Sequence, residues 1–551
     1  MKTNPHVFKV ITLCICLLIS ATSFAQSLTQ QIDSFIGSQY TSDIPGVSIL
    51  VAKDGKAVYS KGFGSANLES GLKANPDHVF EIGSITKQFT AVAILMLEEQ
   101  GKLSVDDTIT KFIPEYPTQG KTITVHHLLN HTSGIKSYTN MESFMTLART
   151  DMTPIALIDK FKNEPMEFDP GTAFNYNNSG YVLLGHIIEV ASGQSYEDFI
   201  QANIFDKVGM SKSYYGSMTK LIPNRARGYS ETETGYRNAN YLSLTLPYAA
   251  GSIMSTTGDL LKWQNAISAN TLIKRSSLDK AINGSTLTTG EDITYGYGFI
   301  KGDVNGSPTV EHSGGIFGYS SNGIYLPEEN VYVIGLTNCD CGNVGAIVSN
   351  VAAMTIGKPY AKAEDAIALS DAQLSKWVGA YAFDAGVVRH ITLKDKQLFS
   401  QREGSTNLEI YPMTDTNFIF DGGATTYAFS TENGNRMVTM TAGGTKMTGT
   451  GIDKAPPAER EGIKVEVDVL NQYIGSYELQ PGFSIAINVK DGKLYGIATG
   501  QAEVELFGSE KDKFFLKVVA AEIHFTRTAE DKVESLTLLQ GGQEMLGKKV
   551  E

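Results

Sequence analysis

Cysteine is scarce in this chain of 551 residues: Cys14, Cys16, Cys339 and Cys341 are all it has. The first two lie in an N-terminal apolar run, and neither sits in a lipobox. The other two are separated by one residue, a spacing expected to bridge only with strain. Two thiols are also too few for a tetrahedral zinc site. The chain is therefore expected not to lean on disulfides. Positive charge is short as well. Lys and Arg total 46 against 59 Asp and Glu, a formal charge of −13. That argues against nonspecific binding to nucleic acid, which needs a basic surface. Beyond the first 25 residues no segment is long and apolar enough to span a bilayer. No Gly-rich phosphate loop precedes a helix in the right context, and no cofactor or metal is expected.

What is present is ample core material. The chain is 42% hydrophobic and 19% charged, a balance that supports large packed cores and argues against wholesale disorder. Residues 1–25 read as a signal peptide: Lys2 and Lys9 precede the apolar run ITLCICLLIS, and Ser23 and Ala25 sit at −3 and −1 of a cut before Gln26. Cleavage removes two lysines and no acid, taking −13 to −15. The mature protein is expected to be periplasmic or secreted, with no stable membrane span.

Residues 47–64, VSILVAKDGKAVYSKGFG, read as a hairpin about an Asp54-Gly55 turn. Helical periodicity dominates from about residue 84 to 210, as in NNSGYVLLGHIIEVASG with its closing Gly193. STTGDLLKW, with Thr256 and Asp259, starts another helix. Strands return near 309–338, with the hairpin GIYLPEENVYVIGLTN, and the apolar helix VGAIVSNVAAM follows. Residues 26–360 are thus expected to form an α/β (α+β) domain in which terminal strands build one mostly antiparallel sheet around a helical middle.

The tail is different and repeats itself. LSKWVGAY (374–381) matches LNQYIGSY (470–477), ITLKDKQLF (391–399) matches INVKDGKLY (487–495), and NFIF (417–420) matches KFFL (513–516). Each pair is offset by 96 residues. Two copies of one all-β module are expected, at 366–455 and 463–551, joined by the polar linker DKAPPAEREG. The strand-like runs in each copy suit a small barrel or sandwich.

The chemistry-bearing stretch is EIGSITKQFTAVAILML, residues 81–97. Ser84 and Lys87 stand three apart at the head of an apolar helix, so they share a face. A desolvated lysine has a lowered pKa and, once neutral, can take a serine proton. S-x-x-K is a weak string, occurring also at Ser70, Ser133, Ser217 and Ser277, and a serine at a helix start is commonly a plain N-cap. Ser84 differs in heading a buried run, where a lysine costs free energy unless it has a partner or a purpose. Tyr176-Asn177-Asn178 and His312-Ser313-Gly314 follow in order; Y-x-N recurs at Tyr138 and Tyr236, whereas H-x-G occurs once. His126, His127 and His131 crowd one region, but no glutamate separates the i, i+4 pair, and packing or capping is the expected role. The tyrosines of TYGYGF (294–299) are expected to line a cleft floor.

The order Ser-x-x-Lys, Tyr-x-Asn, His-x-Gly, with LLNHTSGI, IFDKVGM and AAGSIMSTTGDL around it, resembles the serine beta-lactamase and penicillin-binding-protein superfamily in its class C-like branch. The resemblance covers about residues 30–356. It implies that Ser84 is an acyl-forming nucleophile and that Lys87 and Tyr176 share the proton transfers, the lysine cation lowering the phenol pKa. It implies that Asn178 orients the substrate amide and Lys87. It also implies that His312 binds or polarises the substrate near its carboxylate, that Gly314 lets the acyl chain lie close to the strand, and that the N–H groups of Ser84 and Gly315 form an oxyanion hole. His312 stands where many relatives have lysine, which weakens the beta-lactamase reading. A catalytic domain followed by two small, lipocalin-like barrels resembles D-aminopeptidases, in which a barrel loop restricts substrates; D-alanyl carboxypeptidases share H-x-G. The implied substrate is a D-amino-acid peptide, amide or ester, small or peptidoglycan-derived. A beta-lactamase or carboxylesterase of the same fold is the alternative enzyme. A penicillin-fold receptor without catalysis is the alternative of another class.

Overall fold

The computed structural model describes residues 28–550, apart from 233–234, 404, 443–444, 457–461, 481–482, 499–502, 518–520 and 541–542. The signal segment and the middle of the expected linker lie outside the described residues. Among the described residues, no helix is long and apolar enough to cross a membrane.

The chain divides into two compact units, with the main boundary between Pro359 and Tyr360. The first is built on one antiparallel sheet. Its strands are β1 (Val47–Lys53), β2 (Lys56–Phe63), β3 (Ile300–Val304), β4 (Ser307–Ile316), β5 (Tyr319–Leu326) and β6 (Val331–Thr337). Their order is β3-β4-β5-β6-β1-β2, so the two ends of the unit's sequence meet in one sheet. The turn between β1 and β2 holds Asp54 at φ 50° and Gly55 at φ 74°, the left-handed pair that a tight hairpin demands.

Six consecutive residues of β1 are buried, because this strand pairs with β2 on one side and β6 on the other and is covered on both faces. The pleat sorts its side chains. Ser48 meets Thr257 of helix α3 (Thr257–Ser268), and Leu50 and Ala52 join the core that contains Trp263. On the other face helix α4 (Val344–Thr355) lies so close that a Cβ on Gly335 would come within 2.7 Å of Val348. The result is a helix–sheet–helix sandwich.

The helical middle is anchored by α1 (Thr86–Glu99), which is buried from Thr86 to Leu97 except at Gln88. Phe89 stacks on Trp263 with centroids 4.0 Å apart. Each such apolar side chain contributes about 1.5–3 kcal/mol by leaving water. Helix α2 (Asn178–Ser192) packs beside α1, is N-capped by the Asn177 side chain and ends at Gly193 in the left-handed conformation. Thr256 caps α3 as expected, but the Asp259 carboxylate bonds to Lys212 N, Ser213 and Lys262 rather than back to the cap.

The second unit contains two closed eight-stranded barrels, spanning Gly379–Ile452 and Gly475–Val550. Equivalent residues keep the 96-residue offset. Tyr381 donates to Trp377 O at 2.8 Å, and Tyr477 donates to Tyr473 O at 2.7 Å. Asp395 and Asp491 both take φ 50° at the same hairpin turn.

One expectation is corrected. Cys339 and Cys341 form a disulfide. The turn that follows β6 sets their Cα atoms 5.2 Å apart, inside the ordinary disulfide range, so the one-residue spacing is no obstacle.

Candidate active site

Ser84 lies in a 3₁₀ turn, Gly83–Ile85, that runs directly into α1. Side chains three apart eclipse in such a turn, which aims Lys87 back at Ser84. The turn docks against β4 where that strand has no partner on one side: β3 pairs with β4 only as far as Glu311. Two glycines permit the contact. Gly83, at φ 50°, would place a Cβ 2.9 Å from Gly315 N, and a Cβ on Gly314 would strike Ile82 O at 2.0 Å. The close approach of the Ser84 turn therefore requires glycine at 314. Gly315 is exposed and faces open space.

Lys87 is fully buried. Its Nζ lies 2.9 Å from Ser84 Oγ, 2.8 Å from Asn178 Oδ1 and 3.0 Å from Ala250 O. Burial holds its pKa well below that of an ordinary lysine. Two of the three partners can only accept. A neutral amine has two N–H groups for those acceptors and one lone pair, which is left for the Ser84 hydroxyl. Asn178 is fixed in turn: its Nδ2 donates to Thr139 at 3.1 Å and its backbone N to Ser137 Oγ at 3.2 Å.

Tyr176 presents its ring face to Lys87, with Nζ 4.7 Å from the centroid. The residue is half-buried, but its hydroxyl is shielded from solvent and has no hydrogen-bond partner among the described residues. Burial pushes the phenol pKa up, and the neighbouring Ser84 offsets only part of that rise. The expected lowering by a lysine cation is not found, because the amine sits over the ring and is itself driven neutral.

His312 is buried, and both ring nitrogens are engaged. Nδ1 lies 2.6 Å from Ser313 O, a contact in which the ring must donate; Nε2, 2.9 Å from Tyr295 Oη, then accepts. Burial above all pulls its pKa down to about 3. Both ring nitrogens thus already have partners, and a substrate carboxylate would have to displace one of them. Tyr295 and Tyr297 are buried rather than on a cleft floor; Tyr297 meets His126 at 2.6 Å. His127 closes a capping box with Thr124, and His131 accepts from Asn177 N at 3.1 Å, setting the start of α2 beneath Tyr176.

A cavity of about 370 Å³ opens in front of the cluster. Ser84, Asn178 and Gly315 line it, whereas Lys87, Tyr176, His312 and Gly314 are not among its lining residues. The structure thus gathers Ser84, Lys87, Tyr176 and Asn178 at one point, with Gly314 and Gly315 on the adjoining strand. Ala250 O, Thr139 and His131 were not legible as site members. A main-chain carbonyl has no residue signature, and the other two act through Asn178 and Asn177.

A serine–lysine–tyrosine cluster at the junction of a helical region and an antiparallel sheet defines the serine beta-lactamase and penicillin-binding-protein class. The chain belongs to the beta-lactamase family, whose model matches residues 26–354. Residues 459–549, which include the second barrel, match a domain of unknown function, DUF3471. The chain is 32% identical over 403 residues to penicillin-binding protein 4* of Bacillus subtilis (strain 168), across 68% of this chain and 87% of that protein. Among solved structures, the octameric penicillin-binding protein homologue from Pyrococcus abyssi is similar with a TM-score of 0.54 and 27% identity, covering 85% of this chain and 98% of that one. A D-stereospecific amidohydrolase from Streptomyces sp. is similar with a TM-score of 0.52 and 25% identity, covering 60% and 98%.

Proposed function

We propose that this protein is an exported serine hydrolase that forms an acyl-enzyme on Ser84 and cleaves amide, peptide or ester bonds of D-amino-acid substrates. The observation that carries the reading is the buried Lys87 amine, 2.9 Å from Ser84 Oγ and depressed in pKa. In the acylation step Ser84 Oγ attacks the substrate carbonyl carbon and its proton passes to Lys87 Nζ. The N–H groups of Ser84 and Gly315 receive the developing oxyanion, and the N-terminus of α1 adds positive potential there. The protonated lysine then returns its proton to the leaving group, while the Tyr176 hydroxyl beside Ser84, kept protonated by its raised pKa, stands ready to donate a hydrogen bond there. Water then attacks the acyl-enzyme along the reverse path, restoring Ser84. Lys87 is the resting base in this scheme, because burial lowers the amine and raises the phenol. Asn178 holds Lys87 on one side and meets the substrate amide on the other. His312 supports the β4 edge instead of binding a carboxylate. The similarity to a D-stereospecific amidohydrolase supports the D-amino-acid class.

A fluorophosphonate or a fluorescent penicillin, applied to purified mature protein, tests the reading. Covalent labelling is expected in the wild type and lost in Ser84→Ala. Turnover is then compared on D-alanine p-nitroanilide, a D-Ala-D-Ala peptide, p-nitrophenyl acetate and nitrocefin. No labelling and no turnover would return the protein to a receptor role, and fast nitrocefin hydrolysis would make it a beta-lactamase.

A further inference from the structure

Asp340 is the one charged side chain among the described residues lining the cavity in front of Ser84. Apart from the uncharged polar groups of Ser84, Thr139, Asn178 and Ser320, the wall is mainly apolar or aromatic, with Tyr138, Phe144, Leu242, Leu246, Phe317 and Tyr319 prominent. No lysine, arginine or histidine shares it. A carboxylate entering this space meets one anion and no counter-charge, whereas an ammonium meets an anion and several ring faces.

Asp340 is also held in place. It is the residue enclosed by the Cys339–Cys341 disulfide. Its Oδ2 accepts from Gly318 N at 2.9 Å and from Ser230 Oγ at 2.8 Å. Gly318 lies in the turn between β4 and β5, three residues beyond Gly315, so the carboxylate is tied to the same hairpin that presents Gly315 to the cavity. Both bonds fall on one oxygen, and the residue is exposed.

We infer that Asp340 is a specificity-determining residue that pairs with a protonated amine on the substrate, and that the disulfide and the bonds to Gly318 and Ser230 hold it at the cavity wall. The substrate class is then an amino-acid amide, anilide or ester with a free ammonium, in preference to a carboxylate-ended peptide or a penicillin. This rests on the reading of Ser84 as the nucleophile.

The test compares kcat/KM for D-alanine p-nitroanilide, which carries a free ammonium, with its N-acetylated analogue. p-Nitrophenyl acetate reports Ser84 independently. The wild type is expected to prefer the ammonium substrate, and Asp340→Asn to lower that preference about tenfold. Asparagine keeps a carbonyl oxygen for Gly318 and Ser230, so the turn is retained. Replacing both cysteines by serine is expected to lower the preference in the same direction. In the wild type, raising salt from about 0.05 to 0.5 M is expected to shrink it severalfold, which keeps the test independent of any variant's folding. An Asp340→Asn protein with an unchanged preference, or a wild type that favours the acetylated anilide or cleaves only the ester, overturns the inference while leaving Ser84 as nucleophile. A wild type inert to all three substrates and to fluorophosphonate overturns both.

Discussion

In the proposed reaction Ser84 and Lys87 owe their roles to where they sit. An exposed lysine is a cation at neutral pH and cannot take a proton. Lys87 is fully buried, and burial holds its pKa well below that of an ordinary lysine, the direction a base requires. The sign of the pH dependence follows. Below the lysine pKa the ammonium form dominates and kcat/KM falls with pH. His312, at about 3, is neutral across the working range and contributes nothing to that limb. We therefore expect His312→Gln to lower the whole pH–rate profile, by unpairing Tyr295, without moving its acid limb. Losses for carboxylate-bearing and neutral substrates should be equal within about threefold. A shifted limb, or a loss confined to carboxylate substrates, measured by steady-state kinetics from pH 5 to 9, would restore the anchoring role.

At the scale of elements, the parts of the site that depend on periodicity were readable before the structure. The apolar run behind Ser84 predicts a buried helix, and α1 is one. The Asp54-Gly55 turn, the Gly193 stop and the Thr256 cap each follow from local backbone demands and each occur. What was not readable depends on contacts across the chain. The pairing of Cys339 with Cys341 hangs on the curl after β6, which spacing by itself does not reveal. The direction of the Tyr176 pKa shift hangs on whether Lys87 meets the phenol hydroxyl or the ring face. The need for glycine at 314 hangs on Ile82, more than two hundred residues away. Gly314→Ala tests that contact. The added Cβ would lie 2.0 Å from a main-chain oxygen, so the Ser84 turn must move off β4. Overpacking of this kind costs about 1–3 kcal/mol, and a displacement near 1 Å at the nucleophile costs about 10²-fold in rate. Probe labelling should slow by about that factor with a modest fall in Tm. Labelling within about twofold of wild type would show that the approach is not what positions Ser84.

The whole molecule joins one catalytic unit to a duplicated β module, and the residues argue that these are separable. Every group assigned to the acylation step lies between residues 83 and 315, and the apolar core behind it is drawn from residues 50–336. Each barrel has its own core, around Trp377 and Tyr381 in the first and around Tyr473 and Tyr477 in the second. The 96-residue offset survives down to individual hydroxyl–carbonyl bonds, so the repeat preserves a way of closing a barrel rather than a catalytic feature. If the barrels only restrict which substrates arrive, ending the chain at Pro359 should leave Ser84 labelling by a small fluorophosphonate within about tenfold of the full protein. The ranking of the anilide, peptide and ester substrates should change by more than the labelling rate does. A truncated protein that keeps its cooperative thermal transition but is no longer labelled would mean that the second unit helps to form the acylation site, and the division of labour argued from these cores would be wrong.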